Sequence, residues 1–148
     1  MVNPYKIKNC YMGKLPHGSD ILAELGNFCQ EKGISTGIFT AIGAVKNATL
    51  GFYNQTEKKY YKHYIDQPLE IVSLSGNISI KDEKPMVHSH IVFSDKDGNA
   101  VGGHLMSDTI VFACEFWIFE LEGERLVRAY DEVTGLPLWE MKKILLNS

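Results

Sequence analysis

An α+β fold built on a largely antiparallel, twisted β-sheet with one main α-helix is what this chain predicts, on three observations. Only one stretch repeats its apolar residues at helical spacing. Some eight or nine other segments are short and rich in β-branched and aromatic residues. The links between those segments are mostly too short for the helical crossovers that parallel strands require. A length of 148 residues suits one domain with a sizeable core, and 45% hydrophobic with 22% charged residues is ordinary for a globular protein.

Residues 5–15 alternate loosely as a first strand and end at the turn signal Pro16-His17-Gly18. The helix follows, with Ser19 as N-cap and Asp20 favouring the first turn electrostatically. Ile21, Leu22, Leu25, Phe28 and Cys29 form its apolar stripe until Gly33 stops the run. From Ile34 the pattern becomes strand-like, with one strand in ISTGIFTAIGAV and a second in ATLGFYN, separated by the turn-forming Lys46-Asn47. A short strand covers residues 60–65, and Pro68 introduces PLEIVSLSGNISI, long enough to cross a whole sheet. Residues 108–121, DTIVFACEFWIFEL, are apolar at nearly every position, as a central strand or one covered on both sides would be. Glu122-Gly123 turns the chain into a strand at 125–131, and Thr134-Gly135-Leu136-Pro137 leads to the tail LWEMKKILL, expected to cap the core or a neighbouring subunit. One helix cannot cover so large a sheet, and the apolar surface left over predicts a homo-oligomer.

The chemistry concentrates in VHSHIVFSDKDGNAVGGHL, residues 87–105, which holds three of the five histidines. His88 and His90 leave one face of a strand because side chains alternate at a period of two. Asp95-Lys96-Asp97-Gly98-Asn99 suits a three-residue hairpin loop with Gly98 in the left-handed position. That loop pairs Asp95 with Asn99, Phe93 with Val101, Ile91 with Gly103 and His90 with His104, so three imidazoles share a side. A loop one residue shorter or longer turns His104 away, and Gly102-Gly103 marks either a close backbone approach or a bulge. Neutral imidazole is a common zinc ligand, and three of them leave a fourth position for water or substrate. The same spacing also suits polar residues on a solvated face or histidines in a subunit contact.

Two carboxylates interrupt apolar stretches. Glu70 is a candidate general base or hydrogen-bond partner to a metal-bound histidine, and fits equally well at a strand end in water. Glu115, amid Phe112, Phe116 and Trp117, calls for a subunit partner, a basic residue, the metal site or a wet face. Cys10, Cys29 and Cys114 lack C-x-x-C spacing and read as buried thiols, without a disulfide framework or cysteine zinc site. A net charge of −3 with only two arginines argues against nucleic-acid binding, and the lysines of KKYYKHY fit a protected edge strand better than a nucleic-acid face. No apolar run approaches the ~18 residues needed to span a bilayer, and the start MVNPYKIKNCYMGKL lacks a signal-peptide core, so a cytoplasmic protein without membrane partners is expected.

GSDILAELGNFCQEKGI, GIFTAIGAVKNATLGFYN, PLEIVSLSGNIS, PMVHSHIVFSDKDGNAVGGHL and RAYDEVTGLPLWEM resemble, in that order, the PPC domain conserved in plants and prokaryotes. This domain stands free in prokaryotes and is fused to AT-hook segments in plant nuclear proteins. The resemblance covers roughly residues 5–140, so residues 1–148 read as a single PPC-like domain. It implies a homotrimer, and the HxH and GGH histidines that recur in prokaryotic members match His88, His90 and His104, implying a divalent transition metal, zinc first. The family's usual label is DNA binding, but the Arg-Gly-Arg-Pro core of an AT-hook is absent here. The expected function is a DNA-binding or regulatory interaction module carrying a three-histidine metal site. The alternative is a hydrolase-like enzyme whose metal activates water, with Glu70 or Glu115 as base.

Overall fold

Alternating apolar residues and one helical stripe settle into nine strands and one helix among residues 2–141, which this computed structural model describes. In chain order these are β1 (Lys6–Leu15), α1 (Ile21–Lys32), β2 (Gly37–Asn54), β3 (Lys59–Ile65), β4 (Leu69–Lys81), β5 (Lys84–Ser94), β6 (Ala100–Leu105), β7 (Ile110–Glu122), β8 (Arg128–Asp131) and β9 (Leu136–Trp139). Seven strands make one sheet in the order β1-β7-β2-β4-β5-β6, with β3 on β2, and every strand pairing is antiparallel. The predicted α+β class and antiparallel sheet are therefore observed. β8 and β9 form a separate ribbon, tied to β4 by the Ile80 N–H donating to the Leu126 carbonyl at 2.8 Å.

The sequence reading splits residues 34–54 into two strands at Lys46-Asn47; the structure has one strand of 18 residues. The chain bends there instead of reversing. Register slips between Ala41 and Gly43 and between Val45 and Asn47 curve β2, so its first half pairs with β4 and β7 and its second half with β3 and β6. Gly43 makes the bend possible. It sits at φ 143°, where a Cβ would lie 2.1 Å from the Ala113 carbonyl oxygen. Through the Leu50–Leu105 and Gly51–His104 pairs, β2 meets β6 and closes β2, β4, β5 and β6 into a ring.

The helix N-cap is Asp20, one residue later than Ser19. Its Oδ1 accepts the Ala23 N–H at 2.9 Å while its Oδ2 accepts the Asp108 N–H at 2.8 Å, so one carboxylate fastens the helix start to the loop before β7. Ser19 donates to the Pro16 carbonyl instead. Gly33 closes the helix in the left-handed region, as expected. Ile21, Leu25 and Cys29 then bury themselves against a sheet face carrying Phe39, Ala41, Leu74, Ile78, Ile91, Phe93 and Ile118.

The other face of the sheet carries no helix among the described residues. One row of register partners crosses it from Met12 through Trp117, Thr40, Ser75 and His90 to His104. Met12 is 80% exposed, and Ile38, Ile42, Val72, Val92 and Phe112 are also exposed. β7 is a central strand, flanked by β1 and β2, but among the described residues only its inner face is covered. Cys10 is exposed, against the expectation of three buried thiols, because its alternation in β1 places it opposite Phe119 on this bare face. Burial pushes the thiols of Cys29 and Cys114 up to about 12 and about 11. Among the described residues β3 pairs only with β2, and it keeps its lysines and tyrosines at the surface, the edge-strand arrangement. The expected tail lies mostly outside the described residues; its first part forms β9 against β8. No described helix is long and apolar enough to cross a membrane.

Candidate metal centre

Turn chemistry sets the register of the β5–β6 hairpin. Asp95 donates its N–H to the Asn99 carbonyl at 3.0 Å, and its carbonyl accepts the Gly98 N–H at 3.0 Å. Its carboxylate accepts the N–H groups of Asp97 and Asn99, both at 2.9 Å, and the Asn99 side chain at 3.0 Å. These bonds hold the Asp95 carboxyl below its ordinary range. Gly98 has φ 81°, the left-handed position a loop of this kind uses. The ladder then runs unbroken from Ser94–Ala100 through Phe93–Val101 and Ile91–Gly103 to His90–His104, as the sequence predicts. Gly102 marks close approach, with no bulge: a Cβ there would lie 2.5 Å from the Ile91 carbonyl oxygen.

His88, His90 and His104 converge. Their ring centroids are 5.0–5.5 Å apart, and one ligand nitrogen from each lies within 4.8 Å of the others. Nitrogens sharing one tetrahedral zinc at about 2.0–2.1 Å are separated by roughly 3.4 Å, a difference that small side-chain rotations span. Burial, followed by the neighbouring His104, Arg128 and His90, lowers the His88 imidazole to about 4. Burial also lowers His104, with His90 and Arg128 adding to the effect. Both rings are therefore neutral at physiological pH, the form that offers a lone pair. His104 Nδ1 is buried and has no hydrogen-bond partner among the described residues. An unsatisfied buried nitrogen costs free energy that a bound cation would offset. These three residues could hold a metal ion.

Several neighbours of the cluster were not found by sequence reasoning. Asn77 pairs with His88 across the β4–β5 ladder, and Ser79 follows two residues on along the same face. Arg128 reaches over from β8 and donates through Nε to Ser79 Oγ at 2.7 Å. It donates through Nη1 to the Pro137 carbonyl at 2.8 Å and through Nη2 to Asn77 Oδ1 at 2.8 Å and His88 Nδ1 at 3.3 Å. A guanidinium has no acceptor, so His88 Nδ1 must accept in that contact. Arg128 also lies over the Trp139 ring, 5.6 Å from its centroid. Tyr60 stacks on His104 with ring centroids 4.8 Å apart. Tyr60, His88, His104 and Arg128 line a cavity of about 110 Å³ with Met86, Leu136, Pro137 and Leu138.

The two candidate carboxylates are elsewhere. Glu70 is exposed at the start of β4, opposite Ser94, about 13 Å along β5 from His90 at ~3.3 Å per residue. It lines a separate cleft of about 400 Å³ with Leu69, Lys96 and Phe112. Glu115 is exposed on the bare face, opposite Lys14 and Ile42. The ladder register keeps both out of the imidazole cluster.

Solved structures share this fold over most of the chain. A metal-containing protein from Archaeoglobus fulgidus superposes with a TM-score of 0.91 at 44% identity, covering 95% of this chain and 99% of its own. A plant- and prokaryote-conserved protein from Pyrococcus horikoshii gives 0.92 at 34% identity, over 97% and 99% of the two chains. A protein from Bacteroides thetaiotaomicron, provisionally named as DNA-binding, gives 0.83 at 34% identity over 93% and 96%. Bifunctional GlmU proteins from two Synechococcus strains are 28% identical over 136 and 127 residues, and the chain spans only 21% and 19% of their length. The sequence profile of the Plants and Prokaryotes Conserved domain matches residues 3–122, and the chain belongs to that family.

Proposed function

We propose that this chain is a cytoplasmic, homotrimeric interaction module, a single domain over residues 1–148, that holds one divalent transition metal per chain, zinc first, through His88, His90 and His104. The observation that carries the reading is the convergence of three imidazoles within 4.8 Å, two of them held neutral by burial and one with an unpartnered nitrogen. The metal-containing relative from Archaeoglobus fulgidus, at 44% identity, supports it. The exposed apolar face around Ile42 and Val92, which α1 cannot reach, supports self-assembly. When bound, the metal would supply a Lewis-acid centre; the chain supplies neutral nitrogens on a rigid ladder and a cation, Arg128, at its edge.

DNA binding, the provisional label of the Bacteroides relative, gains little from the charge distribution. Arg128 is committed to the cavity, Arg125 pairs with Glu83 at 3.5 Å, and the net charge is −3. The hydrolase alternative keeps an open metal position but finds neither Glu70 nor Glu115 in the histidine cluster to act as base.

Elemental mass spectrometry on tag-free protein, with light scattering on the same samples, tests the proposal. The expected result is about one metal equivalent per chain in a trimer, with the metal lost in the His88→Ala/His104→Ala variant and the trimer lost in Ile42→Asp. Metal-free wild type, or a monomer, contradicts the corresponding half. Duplex DNA binding that weakens steeply with salt would reinstate the DNA reading.

A further inference from the structure

The β8–β9 ribbon brings a cation to the edge of the histidine cluster without bringing an anion. Arg128 is half-buried and pairs with no carboxylate among the described residues. Its acceptors, Ser79 Oγ, the Pro137 carbonyl, Asn77 Oδ1 and His88 Nδ1, are all neutral, and they use four of its five N–H groups. A half-buried charge without a counter-charge is costly. Tyr60 lines the same cavity with its hydroxyl near enough to interact electrostatically with Arg128, and that hydroxyl has no hydrogen-bond partner among the described residues.

Metal loading would release another donor whichever His88 nitrogen coordinates. If Nδ1 coordinates, its lone pair is used; if Nε2 coordinates, Nδ1 carries the proton. Either way Nδ1 stops accepting, and the Arg128 Nη2–H now at 3.3 Å from it is freed. The opposite wall of the cavity is apolar, formed by Met86, Leu136, Pro137 and Leu138. Inorganic phosphate needs donors on every side, whereas a carboxylate on a short hydrocarbon chain matches one cationic end and one apolar wall. The cavity, about 110 Å³, is nearly four times the ~30 Å³ share of one liquid water.

We infer that this cavity binds a short-chain aliphatic carboxylate, its anionic end on Arg128 and Tyr60 beside His88 and its chain against Leu136, Pro137 and Leu138. The inference deepens the metal reading, on which it rests for the donor released from His88. Arg128 lies beyond the matched residues 3–122 and enters the cavity from the β8–β9 ribbon, whereas Tyr60, His88 and His104 lie within them.

The test is isothermal titration of butyrate, butyramide and inorganic phosphate into zinc-loaded and chelator-stripped full-length protein, with zinc content measured on every sample. Butyrate should bind the loaded protein, with butyramide and phosphate at least about tenfold weaker and the stripped protein weaker than the loaded one. Tyr60→Phe, which keeps the ring against His104, should weaken butyrate by about tenfold, and Arg128→Lys by more. Butyrate no tighter than butyramide or phosphate, or unaffected by both variants, overturns the inference. Zinc at one equivalent with no butyrate preference sinks the carboxylate site and leaves the metal reading standing. Butyrate binding that needs Arg128 in protein that takes up no zinc sinks the metal reading and keeps the cavity's ligand class.

Discussion

The β5–β6 hairpin and the β8–β9 ribbon meet over the same imidazoles but contribute by different physics. The first places His90 and His104 by its own ladder, fixed by one five-residue turn, so its geometry follows from local backbone rules. The second is held to the cluster by side chains: Arg128 reaches Asn77, Ser79 and His88, residues some forty or more positions earlier in the chain. A register supplies precision, and a tethered cation supplies charge. Damage to the hairpin should therefore abolish the cluster, while damage to the ribbon should retune it.

Gly102→Val gives the largest expected effect. Its Cβ would meet the Ile91 carbonyl at 2.5 Å, so the hairpin ladder must part, at a cost of about 3 kcal/mol in urea unfolding and with loss of zinc uptake. Unchanged stability and zinc content would show that the β5–β6 register does not carry the site. Arg128→Met should do the reverse to the metal. It removes a positive charge and a competing donor from His88, so zinc should bind about tenfold more tightly in a chelator competition, even as the ribbon loosens. Weaker binding would make Arg128 a support of the site, erasing the contrast between the two hairpins.

Glu120 supplies a smaller, independent reference away from the cluster. Burial pushes its carboxyl up, but Asn9 and Lys8, both donating at 2.7 Å, with Tyr11 at 3.2 Å, outweigh that and hold it below its ordinary 4.5. Its contribution is thus present above the ordinary value and lost as pH falls through the lower folded one. Glu120→Gln should cost about 1 kcal/mol at pH 7 and nothing once the carboxyl is protonated, leaving zinc content unchanged. A shift in zinc content would tie this remote ion pair to the cluster. Smallest is a labelling result: maleimide should modify Cys10 quickly in monomeric Ile42→Asp, while Cys29 and Cys114 stay protected until unfolding.

These contrasts also explain what could be read in advance. The His90–His104 pairing was legible because turn length and a period of two determine it together, and the helix was legible from the stripe ending at Gly33. Lys46-Asn47 was misread as a turn because its residue types are the same whether a strand reverses or bends, and only the ladder with β7 distinguishes the two. Ser19 and Asp20 are both good caps, and Asp20 prevails because its second oxygen has the Asp108 and Thr109 N–H groups to accept. Arg128 and Tyr60 carried no local signal. Their place depends on how the ribbon packs on β4 and how β3 pairs with β2, which no spacing within either segment encodes. Glu70 and Glu115 stood out as carboxylates in apolar company, but register alone decides what a strand residue can reach.

Metal binding by the three imidazoles is tested most directly by a zinc titration of chelator-stripped wild type against a competing colorimetric chelator, with His104→Ala alongside. Wild type should saturate at one zinc per chain, and the variant should lose affinity by at least about a hundredfold. Equal, weak uptake by both proteins would contradict it, leaving the three imidazoles as packed neighbours with no metal to share.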